Sequence, residues 1–378
     1  MDFMLTEEHR LLQSTVREFT LAEVAPLAEE LDRDGRFPSE TMDKLAKLEM
    51  TGIPYNSAYG GSGADYVSYA LTIEEISREC AATAVILAVH TLAASPIVLF
   101  GTEAQKQKFL PLLTEYQTLG AFALTEAGAG TDAGAVTTTA ELDGDFYVLN
   151  GAKTFITNGD KAGLVIVMAK TGPGAGTKGI SAFIVEKAVS PFAVGKHEDK
   201  MGIRGSHTTE LLFQNCRVPK ENLLGKIGEG FKIAMATLDG GRIAIGAQAL
   251  GIAQGCLDES IRYAKERQQF GRPLAANQAI QWMIADMGKD VMAARLLVYQ
   301  AAALKDSGKP FSQEAAVAKL FASETAVKCA AKAVQIQGGY GYVKGNKVER
   351  FYRDAKITEI YEGTSEVQKM VIAGTLLR

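Results

Sequence analysis

The spacing of apolar residues changes character twice along this 378-residue chain. In residues 1–119, Leu11, Leu12, Val16, Phe19 and Leu21 recur at near-helical spacing, with acids and arginines between them. A second helix is predicted to open at Ser39, an N-cap before Glu40 and the Met42, Leu45, Leu48 stripe. The glycine-rich run 59–63 predicts a loop, followed by a helix over 68–78. From 120 to 225 short β-rich runs take over, at 146–149, 153–157, 164–168 and 180–185. Asn150-Gly151 and Asn158-Gly159 between them predict turns. Beyond 226 the long Ala/Leu/Ile-rich segments 233–264, 278–304 and 312–337 contain no proline. Turn signals at 270–273 and 306–310 separate them, which predicts antiparallel neighbours in a bundle. The apolar tail 367–378 is expected to dock. The pattern predicts an α+β protein with an N-terminal helical domain (1–119), a middle β-sandwich or barrel domain (120–225) and a C-terminal four-helix bundle (226–378).

Composition narrows the function. A formal charge of −4 and a pI near 5.8 argue against a nucleic-acid binder. Cys80, Cys216, Cys256 and Cys329 are far apart and form no C-x-x-C pair, so reduced thiols are expected. His9, His90, His197 and His207 lack metal-ligand spacing, so no metal is expected. The uncharged stretch 81–100 is long enough to span a membrane. Pro96, its polar residues and the absence of flanking basic clusters predict a helix buried in a bundle instead. The N-terminal residues resemble neither a signal nor a transit peptide, so a bacterial cytoplasmic location is expected.

Three stretches bear on chemistry. The first, 123–135, is Ala-Leu-Thr-Glu-Ala-Gly-Ala-Gly-Thr-Asp-Ala-Gly-Ala. Its small residues and glycines leave backbone N–H groups open, and Thr125 and Thr131 add hydroxyls, a set suited to a polar planar ring or a phosphate. The second is Gln335-Ile336-Gln337-Gly338-Gly339-Tyr340-Gly341-Tyr342. It mimics part of a dinucleotide fingerprint but ends a helical run rather than following a strand, so a nicotinamide site of that type is rejected. The third is Ile360-Tyr361-Glu362-Gly363-Thr364-Ser365-Glu366. Taken alone it reads as an acid at a helix entrance capped by Thr364 or Ser365.

Together the three stretches resemble the signatures of acyl-CoA dehydrogenases, in the right order and over nearly the whole chain. Ala127 stands where many members have Pro, and Gly345 where Asp, Glu or Asn is usual. The runs 201–206, 239–242 and 361–364 look most like short-chain, butyryl-type members. The resemblance implies FAD as cofactor. It implies flavin contacts from 122–131, with Phe122, Leu124, Thr125, Gly130 and Thr131, and from Phe155, Ile156 and Thr157. Arg267, Phe270, Gln278, Gln335, Gln337, Gly338 and Gly339 resemble FAD contacts made by a neighbouring subunit, and Thr364 and Glu366 complete that site. Thr131, Asp239, Arg242 and Gly363 resemble acyl-CoA contacts.

The implied reaction converts a saturated acyl-CoA to its trans-2-enoyl-CoA, with Glu362 as the base for the α-proton. Members that place the base on another helix have it immediately before an Arg; here that position is Gly241, ahead of Arg242. Electron-transferring flavoprotein is the implied electron acceptor, and a homotetramer built as a dimer of dimers the implied assembly. The alternatives are an oxidase or monooxygenase on the same fold, or a non-catalytic binding relative.

Overall fold

The computed structural model describes residues 5–172 and 176–377. Six helices come first: α1 (Glu7–Phe19), α2 (Ala28–Asp34), α3 (Ser39–Lys47), α4 (Tyr66–Ser77), α5 (Ala81–Phe100) and α6 (Glu103–Thr114). Thr6 caps α1 and its partner in the reciprocal capping box is His9, while Thr102 and Gln105 do the same for α6. Ser39 is the first helical residue of α3 rather than its cap; Pro38 holds the cap position without a side-chain bond. In α1 Val16 is buried, whereas Leu11 is left 71% exposed.

Eight strands follow: β1 (Leu119–Ala123), β2 (Thr139–Asp143), β3 (Phe146–Thr157), β4 (Ala162–Lys170), β5 (Ile180–Glu186), β6 (Ala193–His197), β7 (Thr208–Pro219) and β8 (Leu223–Leu224). Their order is β6-β7-β3-β2-β4-β5-β8, with β1 added parallel to β4. β4 meets β2 only at the Thr139–Lys170 pair, so the sheet divides there into two halves. Ala140, Tyr147, Leu149, Val165, Val167, Phe183, Leu211 and Phe213 pack between those halves as one sandwich core. The alternate residues of β4, Leu164, Ile166 and Met168, pack against α5 and α6. Burial on both faces explains why β4 reads as an unbroken apolar run. Asn150-Gly151 is not a turn: both residues lie within β3, which shifts register against β7 at that point. Asn158-Gly159 does turn the chain.

Three long helices, α7 (Gly230–Glu266), α8 (Gln278–Asp306) and α9 (Ser312–Gln337), then pack together. The fourth position in the bundle is shared by two short helices, α10 (Lys347–Ile357) and α11 (Ser365–Leu376), both against α9. Between α7 and α8 lie β9 (Gln268–Gln269) and β10 (Arg272–Pro273), a hairpin whose turn residues Phe270 and Gly271 both have positive φ. α4 lies against α7 with every residue buried. A Cβ at Gly251 of α7 would stand 2.3 Å from the Glu74 carbonyl oxygen, so glycine is what allows that approach. One hydrophobic core is therefore shared between the N-terminal helices and the bundle.

α5 passes through this core. It is long and apolar enough to cross a membrane, but it is packed between α4, α6, α7 and β1. Its His90 is fully buried and satisfied: Nδ1 accepts from the Gly120 N–H at 3.0 Å and Nε2 donates to the Leu113 carbonyl at 2.9 Å. Burial pushes that imidazole down to about 4. The tail docks less than its apolar content implies: in α11 only Ser365 and Gln368 are buried, and Met370 and Leu376 are exposed.

Candidate active site

Glu362 lies in the turn between α10 and α11. Its φ is +52° and that of Gly363 is +90°. Two successive left-handed residues reverse the chain sharply, and for a non-glycine residue this conformation costs roughly 1–2 kcal/mol. Such strain persists only where the surroundings enforce it. Here Gln368 Nε2 donates to the Glu362 carbonyl at 3.3 Å and to the Gly363 carbonyl at 2.8 Å. Lys319 Nζ, from α9, donates to the same Gly363 carbonyl at 2.7 Å. Thr364 then caps α11 by accepting from the Val367 N–H.

The Glu362 side chain projects toward α7 and α5. A Cβ on Gly241 would stand 3.1 Å from Glu362 Oε2 and 3.1 Å from a Leu92 methyl. Glycine at 241 is what admits the carboxylate. Oε2 is shielded from solvent and has no hydrogen-bond partner. Burial without bonds disfavours the charged form, while Lys319 and Arg242 pull the other way; the carboxyl is pushed up to about 7. The N–H of Glu362 likewise finds no acceptor among the described residues.

Arg242 is buried and pairs with Asp239 one turn earlier on α7. The other Asp239 oxygen accepts from Ser312 Oγ at 2.5 Å, which ties α7 to the start of α9. Next to Glu362, Tyr361 Oη donates to Gln248 Oε1 of α7. Gly241, Arg242, Asp239 and Gly363 are thus brought together around Glu362.

The residues expected to hold a flavin fall into two groups. The first is on the sheet. Lys153 of β3 is fully buried and donates to Glu126 Oε1 at 2.8 Å and to the Leu124 carbonyl at 3.0 Å. Glu126 also accepts from the Thr137 N–H, the Thr137 hydroxyl and the Thr138 N–H. Burial alone would raise this carboxyl, but Lys153 and those donors hold it down to about 2. The pair pins the 124–138 loop to β3, and the Thr154 N–H donates to the Thr125 carbonyl at 2.9 Å to the same effect. At the end of β3 the register slips again, and Phe155, with φ +57°, is turned outward and 61% exposed. Ile156 points the other way, into the sandwich core. Leu124 is also a core residue, Phe122 and Thr125 are half-buried, and Gly130 and Thr131 are exposed.

The second group lies far down α9. Tyr263, Arg267, Ile336, Gly338, Gly339 and Tyr340 line an open cleft of about 460 Å³. The Arg267 guanidinium lies 5.8 Å from the Tyr340 ring centre. Phe270 is 98% exposed at the hairpin tip, and Gln278 and Gln335 are exposed as well. Gln337 is buried and accepts from Asn346 Nδ2 at 2.8 Å. Gln337 follows Lys319 by eighteen residues of continuous helix, roughly 27 Å at 1.5 Å per residue. Within one chain this cleft and Glu362 cannot serve the same reacting atoms. Glu366 is exposed in the first turn of α11.

Gly128 and Gly130 of this loop, and Gly339 in the second group, are open positions. A Cβ at Gly128, Gly130 or Gly339 would meet nothing within 4 Å, and none of these three has positive φ. The chain's own packing does not require glycine there, whereas close approach of a ligand to the backbone would.

Three neighbours of these sites were singled out by no motif: Lys319, Lys153 and Gln368. Lys319 and Lys153 sit in runs that read as ordinary helix and strand, and only three-dimensional burial sets them apart. Elsewhere, Asp160, His197 and His207 form a trio that could hold a cation. His207 is already engaged through both ring nitrogens, with Asp160 Oδ2 at 2.7 Å and the Gly35 carbonyl at 3.2 Å.

Family models described as the acyl-CoA dehydrogenase N-terminal, middle and C-terminal domains match residues 6–117, 121–216 and 228–377. The chain belongs to the acyl-CoA dehydrogenase family. It is 54% identical to a short-chain specific acyl-CoA dehydrogenase of Clostridium acetobutylicum, over all of both chains. Among solved structures it resembles the butyryl-CoA dehydrogenase of Megasphaera elsdenii, with TM-score 0.98 and 49% identity over all of both chains. It also matches a chain in a structure described as the electron transferring flavoprotein of Acidaminococcus fermentans, with TM-score 0.99 and 51% identity over all of both chains.

Proposed function

We propose that this protein oxidises short-chain, butyryl-like acyl-CoA to the trans-2-enoyl-CoA with FAD as cofactor, and passes the electrons to electron-transferring flavoprotein. Glu362 is the catalytic base. The observation that carries this reading is the shielded, unpartnered Oε2 of Glu362, a carboxylate kept free of internal donors beside an open N–H. A carboxyl held near pH 7 is a far better base than an ordinary glutamate yet is still substantially ionised at neutral pH.

In the reaction Glu362 Oε2 takes the α-proton. Its own N–H donates to the thioester oxygen as enolate-like charge develops there, an interaction typically worth about 3 kcal/mol. Bound FAD supplies the acceptor for the β-hydrogen, which leaves as hydride. Gly241 leaves room for the carboxylate, and the Asp239–Arg242 pair with Gly363 and Thr131 orients the acyl-CoA.

Phe122, Leu124, Thr125, Gly130, Thr131, Phe155, Ile156 and Thr157 hold the flavin end of FAD, Leu124 and Ile156 through their backbone. Thr364 and Glu366 complete the cofactor site. A second copy of the chain contributes its Arg267, Phe270, Gln278, Gln335, Gln337, Gly338 and Gly339. The roughly 27 Å between that cleft and Lys319 supports sharing between copies, in a homotetramer built as a dimer of dimers. A guanidinium fork at Arg267 suits a pyrophosphate. We place the enzyme in a bacterial cytoplasm, with α5 as a core helix.

Glu362→Gln tests the assignment. The variant is expected to purify yellow with full FAD and to lose anaerobic flavin bleaching by butyryl-CoA on the order of 10²- to 10⁴-fold. Near wild-type bleaching would remove Glu362 from its role.

A further inference from the structure

Lys319 is fully buried in α9 among alanines and aliphatic side chains. Around it Ala315, Ala318, Ala322 and Ala326 form the core face of the helix. A lysine ammonium is costly in such a place unless it has a task, because desolvation disfavours the charge. Its hydrogen bond goes to the Gly363 carbonyl, at 2.7 Å, immediately after Glu362. Among the described residues it makes no ion pair with Glu362 within 4.0 Å, so the two charges interact through space.

We propose that Lys319 is a positioning residue for the catalytic base: from α9 its buried ammonium anchors the Gly363 carbonyl and sets a positive charge within Coulombic reach of the Glu362 carboxylate. The inference rests on Glu362 being the base. The anchor acts on the backbone turn. With Gln368 on the same carbonyl, it holds two left-handed residues that place Oε2 over Gly241. The charge acts on ionisation. The groups facing Glu362 are Arg242 on α7, Tyr69 on α4, Tyr361 beside it and Lys319 on α9; Glu359 and Glu366 also face Lys319. Of these, Lys319 is the leading charge favouring the ionised carboxylate, followed by Arg242. Burial holds the Lys319 ammonium down to about 8, so it is still charged when Glu362 ionises near 7.

The test uses FAD-loaded enzyme mixed anaerobically with butyryl-CoA, with bleaching rates followed from pH 5 to 9. Lys319→Met is expected to move the acid limb of the rate upward by about one pH unit, as for loss of a nearby opposite charge. Its plateau is expected to fall several-fold because the turn loosens. Lys319→Arg keeps the charge and is expected to keep the limb near its wild-type position even if its plateau is lower. Lys319→Gln, which removes the charge with a polar side chain, is expected to follow Lys319→Met and covers the case in which the methionine variant does not fold. An unshifted limb in both neutral variants would overturn the proposal and leave Lys319 a structural residue. So would a limb that moves equally in the arginine variant. Glu362→Gln, run alongside, separates the two ideas: if it still bleaches, the base assignment fails and the lysine's role falls with it, whereas loss of bleaching there with an unshifted limb in both neutral lysine variants overturns the lysine's role alone.

Discussion

Two glutamates with carboxylate oxygens shielded from solvent, each near a buried lysine, behave in opposite ways. Glu126 accepts four hydrogen bonds, from Lys153, the Thr137 amide and hydroxyl, and the Thr138 amide, and titrates near 2. Glu362 also feels a buried lysine, but its shielded oxygen accepts nothing and it titrates near 7. Both carboxylates suffer desolvation; at Glu126 the adjacent Lys153 charge and the donors aimed at it outweigh that burial, whereas at Glu362 the more distant Lys319 and Arg242 charges do not. The pair at Glu126 is a fastener for a loop. Glu362 is left short of partners, so a substrate proton can become one.

The largest expected effect comes from exchanging the two sites' chemistry in one assay. Glu362→Gln is expected to lose roughly 10²- to 10⁴-fold in bleaching rate with FAD retained. Glu126→Gln, reloaded with FAD, keeps the proton-transfer step but binds flavin more weakly. Equal losses of bleaching in the two variants, at full FAD occupancy, would erase the distinction.

Lys153→Met comes next. It removes one partner of a buried pair, which typically costs about 3–5 kcal/mol. A clear fall in melting temperature and loss of FAD on gel filtration are expected. Unchanged melting would mean that the loop is fastened by the threonine amides alone.

A smaller effect is expected at Gly241. A methyl there would press on Oε2 at 3.1 Å, and displacing a reacting group by a fraction of an ångström costs on the order of tenfold or more in rate. Gly241→Ala should therefore lower the bleaching rate without releasing FAD. A full rate in this variant would show that the carboxylate works from another position.

The smallest effect is thermodynamic and its sign is diagnostic. The folded-state Glu362 carboxyl is raised from 4.5 to about 7. Below pH 4.5 it is protonated in both states and contributes nothing. Between 4.5 and 7 it ionises only in the unfolded chain, so stability declines as pH rises. Glu362→Gln removes that burden, and at pH 8 the variant should be more stable than wild type by on the order of 1–3 kcal/mol. At pH 4 the two should match. For Glu126 the sign reverses: its depressed carboxyl stabilises the fold above pH 4.5, and that contribution is lost as pH falls toward 2. Urea titrations at several pH values check both.

Much of the fold was legible from periodicity. The three proline-free runs near the C-terminus became α7, α8 and α9, and the β-rich runs of the middle segment became β3, β4 and β5. Local signals failed where tertiary packing overrides them. Asn150-Gly151 has hairpin composition, yet pairing with β7 carries β3 through it. The apolar residues of α11 predicted docking, but in a single chain Met370 and Leu376 stay exposed. At the site, the sequence drew attention to Glu362 and to Gly241. It could not reveal the left-handed turn, the empty environment of Oε2, or the partnership of Glu126 with Lys153 across 27 positions of chain. Lys319 is the extreme case: an alanine-rich helical run hides a buried ammonium whose partner lies 44 residues away.

The central claim is that an underbonded Glu362 does the proton transfer, and the pH dependence of flavin bleaching in the wild-type enzyme tests it most directly. Measured anaerobically at saturating butyryl-CoA, the rate should rise through an acid limb centred near 7 and then level off, and this limb should be absent from the residual rate of Glu362→Gln. A limb near 4.5, or a rate that stays flat from pH 5 to 9, would contradict it.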